Sequence, residues 1–207
     1  RLNSFTTEMF KELKVALKKI TPEQGVRCLI ITGSGRGFCA GQDLNERAET
    51  KGSTPDLSAS LEENYNPIIR KISQLEVPVL CAVNGVAAGA GSSIALACDI
   101  VFAARSASFI QAFCKIGLIP DSGGTWLLTR HLGRARALGL SLLGDKLPAE
   151  KAEEWGLIWK CIDDDKLLEE VIAVGKQLAT QPTKGLNLIK RAIGESFTNS
   201  FSEQLDL

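Results

Sequence analysis

Three stretches of this 207-residue chain combine glycine with groups that could hold or move charge. Two of them, "LIITGSGRGFCAGQDL" and "VLCAVNGVAAGAGSSIALA", run from an apolar segment into a glycine-rich turn. The third, "GLIPDSGG" at 117–124, sets Asp121 between an apolar run and a pair of glycines. A glycine turn at the carboxyl end of a strand lets backbone approach a ligand closely. If a helix starts there, its unpaired N–H groups point at that ligand. Gly35-Arg-Gly37-Phe-Cys-Ala40 matches the loose dinucleotide fingerprint G-x-G-x-x-G/A, but "GQDLNERAETKGS" does not supply the apolar-faced helix that must follow. A P-loop is excluded, since no G-x-x-x-x-G-K-[ST] occurs. Close helix–sheet packing without a ligand explains one such loop easily and two with more strain. The remaining reading is an oxyanion hole, one N–H from each loop converging on a single carbonyl oxygen; such donors need neither titration nor movement. Asp121 also has two readings: an N-cap for the helix beginning "TWLLTRHL", or a general acid/base.

The elements that must carry these loops follow from periodicity. A helical pattern runs from about Thr6 to Ile20, with Met9, Leu13, Ala16 and Ile20 on one face. "VRCLIIT" (26–32) reads as a strand buried on both faces, "PVLCAVNG" (78–85) as a second and "DIVFAA" (99–104) as a third, with "ASFIQA" a candidate fourth. The polar stretch 46–60 reads as mobile surface. Leu61, Tyr65, Ile68, Ile69, Ile72 and Leu75 restore helical spacing, and "SSIALAC" is a short helix. From Gly123 the chain is mostly helical, ending in Lys184 to Ile193 and "FSEQLDL". Strands alternating with helices imply an α/β fold with a largely parallel sheet. No linker divides the chain, so one domain over 1–207 is expected, with a core to about 130 and a helical part from about 131.

Charge and cysteine usage narrow the partners. The 24 basic and 24 acidic residues cancel, which gives no global attraction to nucleic acid or acidic lipid. No apolar run reaches the ~18–20 residues of a membrane span. Cys28, Cys81 and Cys98 sit inside apolar runs, no Cys-x-x-Cys occurs, and His131 is the only histidine, so neither a disulfide framework nor a zinc site is expected. The usage fits a reducing, cytoplasmic setting.

"GRGFCAGQDL", "PVLCAVNGVAAGAGSSIALACDI", "KIGLIPDSGGTWLLTRHLGRARA" and "GDKLPAEKAEEWGLI", in that order, resemble the crotonase (enoyl-CoA hydratase/isomerase) superfamily over essentially the whole chain. The resemblance implies a crotonase-like spiral of ββα units with a helical C-terminal trimerisation region. It implies an acyl-CoA substrate whose CoA is part of the substrate rather than a cofactor, and a homotrimer or homohexamer, with a sister crotonase-family subunit as a further partner. It also implies that strands normally precede "RLNSF" and helices normally follow the last residues, so the first strands and last helices are expected to be missing. Carried onto this chain, the two oxyanion donors are the N–H groups of Gln42 and Ala90. Ala40, Gly41, Gln42, Asp43 and Leu44 then form the CoA-binding loop.

Hydratases of this family use two glutamates, and the corresponding positions here are Ser93 and Phe113. Neither can serve as a general acid/base group. Asp121 matches the aspartate of isomerase-type members, and one carboxylate suffices to take a proton from one carbon and return it to another. Leu118 and Ile119 beside it could raise its pKa by desolvation. Within the family, "GFCAGQDLN", "CAVNGVAAGAG" and "GLIPDSGGTWLL" resemble the branch that opens the ring epoxide of phenylacetyl-CoA to an oxepin in bacterial phenylacetate degradation. That implies an intramolecular isomerase with possible double-bond shifting. A Δ3,Δ2-enoyl-CoA isomerase and a catalytically silent subunit of the same fold remain alternatives. Of the other candidates, His131 reads as a surface or interface residue and Cys39 as packing rather than a nucleophile. Arg130, Arg134 and Arg136 form a basic cluster, Trp126 could line an acyl pocket or fill the core, and Trp155 and Trp159 are expected to pack.

Overall fold

The most apolar run of the chain becomes the middle of its main sheet. In the computed structural model, which describes residues 2–43 and 57–207, the chain forms helix α1 (Thr7–Lys18) and strand β1 (Leu29–Thr32). A helical segment follows, made of Leu57–Ser60, a π turn at Leu61–Tyr65 and α2 (Asn66–Ser73). Strands β2 (Val79–Val83) and β3 (Val86–Ala88) lead into α3 (Ala90–Leu96). Strands β4 (Ile100–Ala104) and β5 (Ser108–Ile110) lead through a 3-10 turn (Ala112–Ile116) into α4 (Gly124–Leu143). Then come β6 (Lys146–Pro148), α5 (Ala149–Glu154), β7 (Lys160–Ile162), α6 (Leu167–Thr180), α7 (Thr183–Glu195) and α8 (Phe201–Leu205).

Two sheets result. One is parallel throughout, in the order β1-β2-β4-β7; in the other β3 pairs parallel to β5, and β5 antiparallel to β6. Successive turns of the chain give one strand to each sheet and then a helix: β2-β3-α3, then β4-β5-α4. This is the expected α/β spiral of ββα units. Every residue of β2 is buried, as a central parallel strand covered on both faces requires. β1 differs from its expectation: it lies at the sheet edge and its residues are only partly buried, so "VRCLIIT" is apolar on both faces without being sealed on both.

The stretch after Gly123, read as mostly helical, also holds β6 and β7. Both are three residues long, too short to leave a periodicity that competes with the flanking helices. Residues 57–60, part of the 46–60 segment read as mobile surface, are helical; residues 46–56 of that segment, and Leu44 of the CoA-loop assignment, lie outside the described residues. Trp159 does not pack as expected and is 70% exposed, whereas Trp155 lies against the core. All six cysteines are free. No helix among the described residues is long and apolar enough to cross a membrane, and no group of three His, Cys, Asp or Glu is placed to hold a metal ion there.

α7 is fastened to the sheet by one lysine. Lys190 Nζ pairs with Asp99 Oδ2 at 2.7 Å and donates to the Leu75 and Val77 carbonyls at 2.9 Å each. Asp99 also accepts the Val79 N–H at 2.7 Å, so the start of β2, the end of α2 and α7 meet at one partly buried ion pair. Burial pushes the Asp99 carboxyl above its ordinary value, and Lys190 opposes that rise.

Candidate active site

The glycine loops are held together by backbone contacts that side chains would block. The first loop follows β1 and the second bridges β2 to α3. Cys39 forms a parallel bridge with Ala87; Phe38 and Cys39 N–H groups donate to Val86 O at 3.1 and 3.0 Å, and Ala88 N–H returns to Cys39 O at 2.9 Å. A Cβ on Gly91 would stand 2.5 Å from Cys39 O, and one on Gly85 2.4 Å from Arg36 O. Gly41, at φ 88, would put a Cβ 3.1 Å from Ala88 O and 3.9 Å from Ala90 N. The close approach, more than backbone freedom, is therefore what these glycines provide.

The turns bring the two expected donors to the same place. Gln42 is bridged to Phe5 in a way that engages its neighbours: Phe5 N–H donates to Gly41 O at 2.7 Å and Asp43 N–H to Phe5 O at 3.0 Å. Ala90 opens α3, where first-turn N–H groups have no intrahelical acceptor. Among the described residues neither the Gln42 nor the Ala90 N–H is used in a hydrogen bond. Both residues line one cleft of about 230 Å³ with Ala40, Gly41, Gly89, Phe113 and Asp121. Asp43 lies at the end of this loop, partly buried, and is not among the cleft-lining residues.

Asp121 lines the same cleft from the turn after the 3-10 segment. It does not cap α4 through its side chain: the cap position is Gly123, in a left-handed conformation, with no side-chain cap bond. Its carbonyl instead accepts the Gly124 N–H at 2.8 Å, while Oδ1 accepts from Ser122 Oγ at 2.9 Å. Burial pushes the carboxyl above its ordinary range, and the Ser122 bond works against that shift. Among the described residues it is the only carboxylate lining the cleft. A second, smaller chamber of about 110 Å³ opens beside it, sharing Gln42, Tyr65, Leu118 and Asp121 and adding Ser60, Leu61 and Ile119. Its lining is mainly apolar, with Leu61, Tyr65, Leu118 and Ile119 beside Asp121.

The two positions where hydratases carry glutamate are filled differently. Ser93 is wholly buried and donates to the Asp121 carbonyl at 3.1 Å. Phe113 is buried, with its ring edge 3.6 Å from where a Cβ on Gly89 would stand. Sequence reasoning placed neither Tyr65, Ala112, Lys115 nor Ile116 in the cleft. Tyr65 could have been suspected as the one polar tip on an otherwise apolar helical face.

Several side candidates fall away from the cleft. Cys39 is buried and its thiol is pushed up to about 11, chiefly by desolvation, which makes it inert packing. His131 is exposed. Trp126 lines neither chamber; it is half exposed, with the Arg130 guanidinium 3.8 Å above its ring and Phe197 edge-on to it. Arg136 lies 4.9 Å from the Trp155 ring.

With fold and cleft in view, the comparisons with known proteins assign the class. The sequence profile of the family described as Enoyl-CoA hydratase/isomerase matches residues 1–207, and this chain belongs to that family of enzymes. It is 57% identical over 208 residues to the 1,2-epoxyphenylacetyl-CoA isomerase of Escherichia coli (strain K12), a match covering 100% of this chain and 79% of that one. In structure it resembles the enoyl-CoA hydratase of Bacillus anthracis, with a TM-score of 0.91 at 32% identity over 98% of this chain and 78% of that one. It resembles an enoyl-CoA hydratase from Polaromonas sp. JS666 with a TM-score of 0.89 at 33% identity, covering 98% of this chain and 82% of that one.

Proposed function

We propose that the chain is an acyl-CoA isomerase that converts ring-1,2-epoxyphenylacetyl-CoA to oxepin-CoA in phenylacetate catabolism. The carrying observation is the single carboxylate: Asp121 faces a cleft with two unused backbone N–H groups and no second acid among the described residues. The thioester carbonyl oxygen lies against Gln42 and Ala90 N–H groups. Asp121 takes a proton from the carbon next to that carbonyl and the negative charge passes to the oxygen held by the two donors; the ring C–C bond spanned by the epoxide breaks as the diene electrons shift, giving the seven-membered oxygen ring, and the proton returns to a carbon of that ring. No water is consumed, which suits a wall carrying Phe113 and Ser93 where a hydratase has its acids. The apolar chamber beside Asp121 supports an aromatic acyl group, as does the likeness to the Escherichia coli isomerase.

In this reading Ala40, Gly41 and Asp43 belong to the loop that meets CoA, and no cofactor or metal takes part. The homotrimer or homohexamer belongs to the same proposal. Leu188, Ile189, Ile193, Phe201 and Leu205 on the C-terminal helices, with Phe197 in the turn between them, are exposed and form the surface such an assembly would bury.

The experiment is turnover of the aromatic epoxide thioester beside a Δ3-alkenoyl thioester, in wild type and Asp121→Asn. Turnover of the epoxide is expected, with Asp121→Asn slower by at least about 10²-fold. Undiminished turnover in Asp121→Asn would remove it from the mechanism; turnover of the alkenoyl compound alone would make the substrate aliphatic.

A further inference from the structure

The turn that carries Asp121 is gripped by a serine at each end. Ser93 on α3 has no exposed surface, and its hydroxyl donates to the Asp121 carbonyl at 3.1 Å, sharing that oxygen with the Gly124 N–H at 2.8 Å. The turn rests directly on it: a Cβ on Gly124 would stand 3.0 Å from Ser93 Oγ and 3.1 Å from Pro120 Cβ. Next to Ser93, the equally buried Ser92 accepts from Gln111 Nε2 at 3.0 Å, so the floor beneath Asp121 is a small buried polar cluster. At the other end Ser122 Oγ holds Asp121 Oδ1 at 2.9 Å.

Ser122 is itself in an unfavourable conformation, at φ 52 and buried. A left-handed backbone costs a non-glycine residue roughly 1 kcal/mol or more. Glycine fills the next two positions, and Gly123 also has positive φ. A third glycine would have satisfied the backbone at position 122 without strain. What glycine could not supply is the hydroxyl.

We propose that Ser93 and Ser122 are positioning residues for the proton transfer: Ser93 fixes the backbone that carries Asp121, and Ser122 occupies Oδ1 so that Oδ2 exchanges the proton with substrate. The proposal rests on the reading of Asp121 as proton carrier. It gives the serine in the first glutamate position a task of its own, as support for the turn that carries the acid. The Ser122 bond also works against the upward push of burial on the carboxyl. Tyr65, from the segment before α2, and Lys115, from the 3-10 turn, are the other titratable side chains lining the cleft among the described residues.

The test is the pH dependence of turnover in Ser122→Gly, Ser93→Ala and Asp121→Asn. Ser122→Gly removes the hydroxyl and relieves the backbone, so its thermal midpoint should hold or rise. Its kcat should fall about tenfold, the worth of one hydrogen bond to a charged group, with KM within about twofold. The acid limb of its pH profile should move to higher pH, since the carboxylate loses the donor that favoured its charged form. Ser93→Ala should lower kcat about three- to tenfold and leave the acid limb in place, because it touches only the carbonyl. Wild-type kcat and acid limb in both serine variants, with Asp121→Asn inactive, would overturn the proposal. An active Asp121→Asn would instead overturn the reading it rests on.

Discussion

The two glycine-rich loops and the Asp121 turn both bend on glycine beside one cleft, yet they position different things by different means. The loops present backbone N–H groups, and backbone hydrogen bonds between them are backed by close contact: Gly85 and Gly91 sit where a Cβ would strike a carbonyl at 2.4 and 2.5 Å. The Asp121 turn aims a side chain, and it is fixed by hydrogen bonds to its carbonyl and carboxylate. Contact is indifferent to protonation, whereas a hydrogen-bonded acid is tuned by each donor around it. In the proposed mechanism, where charge is held on one oxygen and a proton is moved, each task has the kind of support that suits it.

The difference can be broken most severely at the loops. Gly91→Val would drive a branched side chain into Cys39 O; the expected result is a stability loss of about 1–3 kcal/mol in urea unfolding together with a turnover loss of about 10²-fold or more. Stability and activity should fall together there, because the same contact supports both.

At the Asp121 turn they should separate. Asp121→Asn is expected to hold or gain stability at neutral pH while losing turnover. A carboxyl raised by burial binds its proton more tightly folded than unfolded. The folded state is therefore penalised above the folded pKa, and the penalty fades as pH falls through it. Unfolding free energy measured from pH 7 downward should rise relative to the variant across that interval; parallel curves would contradict it. The smallest effect on turnover is expected at Phe113→Ala. Although the ring is buried, it borders the open cleft; truncation should raise KM for an aromatic thioester several-fold, with a stability loss of about 3 kcal/mol, the lower end of the range for such a change.

The same contrast explains what could be read from the residues. Loops that approach so closely leave glycines in the sequence, and the family resemblance implies Gln42 and Ala90 as the donors on them. The strands β2 and β4 were equally plain, since parallel strands covered on both faces are continuous apolar runs. A turn built on hydrogen bonds leaves only serines, which occur in any loop. Ser122 was invisible as a strained residue, and Ser93 was read by what it lacks rather than by what it touches. The π turn at Leu61–Tyr65 and the short β6 and β7 escaped because each depends on partners far along the chain: β7 pairs with β4, some 58 residues earlier, where Phe102 meets Lys160. The exposure of Trp159 is likewise a property of the assembled surface and not of its neighbours in sequence.

The Lys190 latch has a consequence for how the molecule comes into being. It joins α7 to carbonyls 113 and 115 residues earlier, and Arg27 reaches Gln181 O across 154 residues. Contacts so distant in sequence are slow to form, because chain entropy is lost before they reward it. During synthesis the strand that feeds the second glycine loop is thus made long before the lysine that fastens its entry, leaving the ribosome more than a hundred residues ahead of it.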